Sequence, residues 1–163
     1  NDWLFSETLK TIETKYKDEL KPKIISSFPN YEKSTISYDD SGLCINSLNG
    51  FPGVMTHRFW GEDATDRMRN EYIIQETNKH EDRSAQMVCA IVYYNGEEWI
   101  ISEGKLDGHI STECRGKNGF GFDEIFELPN GLTLAELTKE EKNRISARAV
   151  ALKKLKEQIS NLW

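Results

Sequence analysis

The sequence has little that would tie it to a membrane, to a cysteine-bound metal or to a polyanion. No apolar run approaches the ~20 residues that a membrane-spanning helix needs. Asn1-Asp2-Trp3-Leu4 shows no basic region and no apolar signal core. Only three of the 163 residues are cysteine, and Cys44, Cys89 and Cys114 lie far apart without a CxxC spacing. That pattern argues against a disulfide framework and against a zinc site, and predicts reduced, buried thiols in a cytoplasmic protein. His57, His80 and His109 have no metal-ligand spacing and read as surface or packing residues. Positive charge is in deficit: 21 Lys and Arg stand against 27 Asp and Glu, a formal charge of −6. A chain so balanced is not expected to coat nucleic acid or anionic lipid, although one basic cleft stays compatible with it. There is no GxxxxGK[ST] phosphate loop, no internal repeat, no low-complexity tract and no linker.

What is present suffices for one domain over residues 1–163, since 37% of residues are hydrophobic and 10% aromatic. Phe5, Leu9, Ile12, Tyr16 and Leu20 form one apolar stripe of a helix, after which Pro22 and Pro29 break the chain. Thr35 to Tyr38 alternates as a strand, runs into Asp39-Asp40-Ser41-Gly42, and resumes at Leu43-Cys44-Ile45. Asn49 to Gly53 reads as a turn-rich loop. Glu62 to about Lys79 reads as a helix with a weak stripe of Ala64, Met68, Tyr72 and Gln75. Met87 to Tyr94 and Trp99 to Ile101 flank Asn95-Gly96, a strong hairpin signal, and Lys105 to Ile110 continues or pairs as a further strand. Arg115 to Gly121 is a glycine-rich loop, followed by a short apolar element at Ile125-Phe126. Thr138 with Glu141 forms a capping box for a last helix whose apolar face is Ile145, Ala149, Leu152, Leu155 and Ile159. The expected class is α/β, with an elongated mixed β-sheet flanked by helices.

Three segments can carry chemistry. In Asp39-Asp40-Ser41-Gly42, an acidic side chain at a strand end can hold Mg²⁺ and orient a water, because Mg²⁺ takes hard oxygen ligands. Adjacent strand side chains point to opposite faces, so at most one of the two aspartates is expected to face a given cleft. The plainer reading is an Asx turn closing the strand. In Gly119-Phe120-Gly121-Phe122-Asp123, the glycines let backbone N–H groups approach a ligand and an aromatic face can stack on a base. The plainer reading there is a loop plugging Phe into the core. Lys142, Ser146 and Arg148 open the last helix, with Lys142 and Ser146 one turn apart on a shared face. Alone, such cations are usually solvated.

Taken in order, these segments resemble the inosine triphosphate pyrophosphatase family of house-cleaning enzymes. Asp39-Asp40-Ser41-Gly42-Leu43 with Leu48-Asn49-Gly50-Phe51-Pro52-Gly53 is similar to the family's DDSGL…LxGxPG stretch, and Gly61 to Asp66 to the segment after it. Gly119 to Phe126 resembles its GFGYDPIF. Ala135-Glu136-Leu137 and Glu140 to Arg148 resemble its AEL…EEKNxISHR. The match runs from about residue 39 to 155. The resemblance implies two lobes with a central cleft, usually in a homodimer. It also implies Mg²⁺-dependent cleavage of a purine nucleoside triphosphate, typically carrying hypoxanthine or xanthine, to monophosphate and pyrophosphate. It casts Asp40 as metal ligand and base, Ser41 as a donor to substrate, and Phe120, Gly121, Phe122 and Asp123 as the wrap around the nucleoside, with Phe122 stacked on the base. Lys142 neutralises substrate charge, Ser146 lies in the same binding segment, and Arg148 donates to the 6-oxo group. A donor there favours hypoxanthine over adenine.

Two departures from the family pattern stand out. The family's ISHR reads Ile145-Ser146-Ala147-Arg148, so a methyl replaces an imidazole that helps read the base. The family's opening strand and Ser-Gly-Asn loop, with its lysine, find no match, and Leu4-Phe5-Ser6-Glu7 resembles only the later TFxEN helix start; the grip on the triphosphate is expected upstream of Asn1. Beside the enzyme stand two other readings: a member of the same fold that binds nucleotide without turnover, and a dimeric interaction module without a ligand.

Overall fold

The computed structural model describes residues 36–53, 55–56, 59–94 and 98–161. The stripe from Phe5 to Leu20, Pro22, Pro29, His57 and the Asn95-Gly96 hairpin tip lie outside the described residues.

The chain enters with strand β1 (Ile36–Ile45), a 3₁₀ turn (Asn46–Leu48) and the two-residue strand β2 (Pro52–Gly53). Helix α1 (Asp66–Thr77) leads into the long hairpin of β3 (Ser84–Tyr94) and β4 (Trp99–Ile110). Strand β5 (Phe126–Glu127), a 3₁₀ turn (Leu134–Glu136) and helices α2 (Lys139–Ile145) and α3 (Ala147–Ser160) follow. The sheet order is β2-β1-β3-β4-β5. The α/β class stands. Every strand pair among the described residues is antiparallel, so the parallel component expected of a mixed sheet is not found there.

One face of the sheet carries two apolar clusters side by side. Leu43, Ile45, Ile73, Ile110, Phe122 and Phe126 belong to the larger one, around α1 and β5. Cys89, Ile91, Ala147, Ala151 and Leu155 form the smaller one, where α3 lies on the hairpin. Met87 and Leu106 touch both. A cavity lies between these two clusters. Close approach of α3 is possible because β4 presents Gly104: a Cβ there would sit 1.9 Å from the Ala147 carbonyl oxygen. Beside it, Ser102 Oγ donates to the Ala151 carbonyl at 2.7 Å.

Three expectations need correction. Asp39-Asp40-Ser41-Gly42 does not end a strand; it lies inside the ten residues of β1, paired with Ile91 to Val88 of β3. In α1 only Tyr72 of the expected stripe packs against the core, half-buried, while Met68 and Gln75 are exposed; the buried positions are Arg69, Asn70, Ile73, Ile74 and Thr77. Polar residues can occupy that face because each finds a carbonyl: Arg69 donates to Phe59 and Gly61, Asn70 to Gly121, and Thr77 to Ile73. The last helix is two helices. Ser146 (ψ 153°) ends α2 with its N–H on the Lys142 carbonyl and begins α3 with its Oγ accepting from Ala149 N–H. The break rotates the register, so Ala147, Ala151 and Leu155 are buried while Ile145 and Leu152 are exposed. The capping box at Thr138 and Glu141 is present. The three cysteines are unpaired, with Cys89 buried and Cys44 and Cys114 half-buried. No helix among the described residues is long and apolar enough to cross a membrane.

Candidate active site

A cavity of about 900 Å³ opens between the two clusters. Met87, Leu106, Leu134 and Leu137 supply apolar lining. Asp40, Ser41, Phe120, Gly121, Phe122, Asp123, Lys142, Ser146 and Arg148 all border it. Residues up to 108 positions apart in sequence are thus brought to one place, because the sheet carries β1 next to β3 and α3 lies back over the hairpin.

Both aspartates of β1 line the cavity, where alternation predicted one. By register Asp39 and Ser41 share the face of Ile91 and Cys89, on which α3 packs, while Asp40 pairs with Ala90 on the other. Strand β2 pairs only with Leu43 and Cys44, so above them β1 has a partner on one side only among the described residues. The cavity wraps that edge and meets side chains of both faces. Gly42 lets the wall close up: a Cβ there would be 2.8 Å from the Gly53 carbonyl oxygen. Asp40 Oδ1 accepts the Ser41 N–H at 2.9 Å, and its second oxygen has no partner among the described residues. Asp39 Oδ2 takes Arg148 Nε at 2.7 Å and Nη2 at 2.6 Å. Cys89 lies beneath this wall. Burial pushes its thiol above the ordinary value, and the Ser41 hydroxyl beside it works the other way.

The opposite wall is the glycine loop. Gly116, Gly119 and Gly121 all have positive φ, a conformation open to glycine at little cost. Gly119 also has no room for a methyl, since a Cβ would meet Asp123 Oδ2 at 2.0 Å. Asp123 is buried; its Oδ2 accepts the Phe120 N–H at 2.9 Å and pairs with Lys142 Nζ. That ammonium also sits 4.6 Å from the centre of the Phe120 ring, within cation–π range.

The two phenylalanines both border the cavity but differ in exposure. Phe122 is 5% exposed and its ring stacks on Phe59 at 6.2 Å and 9°. That ring belongs to the larger apolar cluster and borders the cavity at its edge. Phe120 is 65% exposed at the cavity. Alternation of large and small residues in Gly-Phe-Gly-Phe could not say which ring turns inward. Residue patterning alone also passed over Asp39, Asp66 and Asn70; the last two are the hydrogen-bond partners of Gly121. Their only signal was their place in the Gly61–Asp66 motif and the helix that follows it.

The model of the Ham1 family matches residues 5–158. The chain belongs to the Ham1 family. This Ham1-family chain is 48% identical over 124 residues to the dITP/XTP pyrophosphatase of Thermoanaerobacter sp. (strain X514), an alignment covering 74% of the chain and 63% of that protein. Against the dITP/XTP pyrophosphatase of Bacillus subtilis (strain 168) it is 46% identical over 121 residues, covering 72% and 61%. The chain therefore spans about three fifths of the length of these curated relatives. Among solved structures, the HAM1 protein from Coxiella burnetii matches with TM-score 0.73 at 40% identity, over 78% of this chain and 68% of that one. The Ham1 protein of Staphylococcus aureus matches with TM-score 0.77 at 34% identity, over 82% and 71%.

Proposed function

We propose that this Ham1-family chain binds a purine nucleoside triphosphate in the cavity between its two apolar clusters and hydrolyses it to monophosphate and pyrophosphate. Non-standard bases, as in ITP, XTP and dITP, are the proposed substrates. The observation that carries the proposal is that all nine site residues expected from three separated segments border one cavity. The names of the 48% and 46% identical relatives point the same way.

A divalent cation fits the donors present. Three carboxylates (Asp39, Asp40, Asp123) and three cations (Lys139, Lys142, Arg148) line the cavity, so its formal charge is zero, and Lys142 and Arg148 are already paired. A triphosphate brought there needs added positive charge. Among the described residues no three potential ligands cluster. That suits Mg²⁺, which is commonly held by one or two carboxylates together with substrate phosphates and water. Asp40, whose second oxygen has no partner among the described residues, would hold it. When bound, Mg²⁺ neutralises phosphate charge and orients the reacting groups.

The chain's own residues supply the rest. The Asp40 carboxylate takes the proton of the water that attacks the α-phosphorus; the bond from that phosphorus to the bridging oxygen breaks, and pyrophosphate leaves. Ser41 donates to substrate from the same strand. The nucleoside lies against Phe120, and the cavity's apolar lining excludes water from the base. Arg148, oriented by Asp39, donates to the 6-oxo group, an acceptor that adenine lacks. Ala147 offers no side-chain polar atom, so base reading at this turn rests on Arg148. Positioning and charge neutralisation lower most of a barrier of this kind.

Purified protein incubated with Mg²⁺ and ITP, dITP, XTP, ATP and GTP is expected to release pyrophosphate fastest from the 6-oxo, non-standard members. Asp40→Asn is expected to abolish release while leaving the chain folded. Absence of pyrophosphate from every nucleotide of the panel refutes the proposal.

A further inference from the structure

Gly121 is held in a way its neighbours are not. A Cβ built on it meets nothing within 4 Å, and its φ is +60°. The space on its Cβ side is open, and the exposed Phe120 ring hangs on the peptide just before it. Within the loop the Phe120 carbonyl accepts the Asp123 N–H at 3.2 Å, and the hydrogen bonds of Gly121 itself come from one helix. Gly121 N–H donates to Asp66 Oδ2 at 2.8 Å. The Gly121 carbonyl accepts from Asn70 Nδ2 at 3.0 Å. Asp66 and Asn70 are one turn apart on α1, so a single helix face grips both peptides flanking the glycine. The grip is closed on itself. Arg69 reaches Asp66 at 3.8 Å and donates to the Phe59 and Gly61 carbonyls, and Phe59 stacks on Phe122, the residue after Gly121. Asn70 is fully buried, and the bond to the Gly121 carbonyl offsets part of its desolvation cost, while its Oδ1 has no partner among the described residues.

We propose that Asp66 and Asn70 are positioning residues for the nucleoside clamp: they set the plane of the Phe120–Gly121 and Gly121–Phe122 peptides and so aim the Phe120 ring into the cavity. This deepens the nucleotide reading, on which it rests for its ligand. It also gives the Gly61–Asp66 motif and the start of α1 a role in the site, although neither Asp66 nor Asn70 borders the cavity.

Asp66 is exposed, so Asp66→Ala leaves the fold intact, whereas truncating the buried Asn70 endangers it. Two measurements test the proposal on the full chain. The first is amide exchange of Gly121 without nucleotide: Asp66→Ala is expected to lose its protection while Ile73 and Ile74 of α1 keep theirs. The second is calorimetric titration with ITP and Mg²⁺: Asp66→Ala is expected to weaken binding about tenfold, the size of a lost hydrogen bond to a charged acceptor. Asp66→Asn, which keeps an acceptor oxygen, is expected to recover most of that loss. Unchanged Gly121 protection in Asp66→Ala, or an Asp66→Asn as weak as Asp66→Ala, overturns the proposal. If the parent chain binds no ITP at all, the nucleotide reading fails, and the exchange of the Gly121 amide alone decides the positioning claim.

Discussion

Each wall of the cavity carries one carboxylate–cation pair, and the two pairs differ in surroundings. On the loop wall, Asp123 and Lys142 have side chains 5% and 20% exposed. On the strand wall, Asp39 and Arg148 are 40% and 52% exposed. The loop pair is also wired into backbone, because Asp123 holds the Phe120 N–H. The strand pair ties one side chain of β1 to one of α3, with the Arg148 guanidinium also beside the Cys89 thiol of β3. Charge pairing thus shapes the wall in one place and only aims a donor in the other. Water explains the contrast: exposed pairs are screened and contribute little, whereas a buried charge without its partner is costly.

The largest expected effect comes from breaking the loop wall. Asp123→Ala leaves Lys142 unpaired and the Phe120 amide unsatisfied, and is expected to cost about 3–5 kcal/mol in urea unfolding. The two rings sharpen the same contrast. Phe122→Ala removes a core ring and is expected to cost about 3–5 kcal/mol of stability. Phe120→Ala is expected to leave the unfolding midpoint in place while weakening nucleotide binding by about 1–3 kcal/mol, the scale of one base–aromatic stack. On the strand wall, Arg148→Ala is expected to change stability by less than about 1 kcal/mol and to narrow the preference for ITP over ATP in pyrophosphate release. An Arg148→Ala that unfolds as readily as Asp123→Ala would erase the distinction between the walls.

The smallest effect is in pH, and its sign differs between the walls. On the loop side, the Thr138 N–H holds the Glu141 carboxyl below its ordinary value of 4.5. A depressed acid stabilises the fold above its unfolded value, so the start of α2, which carries Lys142, loosens as pH falls below about 4.5. On the strand side, burial holds the Cys89 thiol above its ordinary value of 9.0. A raised thiol stabilises the fold below that value, and the stabilisation is lost as pH rises beyond about 9. Amide protection factors, taken relative to the intrinsic rate at each pH, should therefore fall first in α2 at acid pH, and first around Ser41 and Cys89 at alkaline pH.

The hairpin of β3 and β4 and the capped start of α2 were legible in the sequence because their causes are local: runs of β-branched residues around Asn95-Gly96, and Thr138 three residues before Glu141. That nine candidate residues from separate segments border one cavity was legible from the ordered motifs. The faces of α1 and α3 were not. Arg69, Asn70 and Thr77 look like surface residues until the carbonyls they bond are known, and the break at Ser146 turns the last helix by a register that periodicity assumed unbroken.

Local chemistry in the sequence alone determined the class of the fold, the capping of α2 and which segments come to border the cavity, because propensity, turn residues and motif wording act over a few neighbours. Tertiary structure decided that Phe122 is buried against Phe59 while Phe120 stands exposed at the cavity they both border, that Asp39 and Asp40 both border it, and that α1 grips Gly121. Those outcomes depend on which partner arrives from dozens of residues away to bury a ring, close an edge or accept a proton, and no local pattern encodes it.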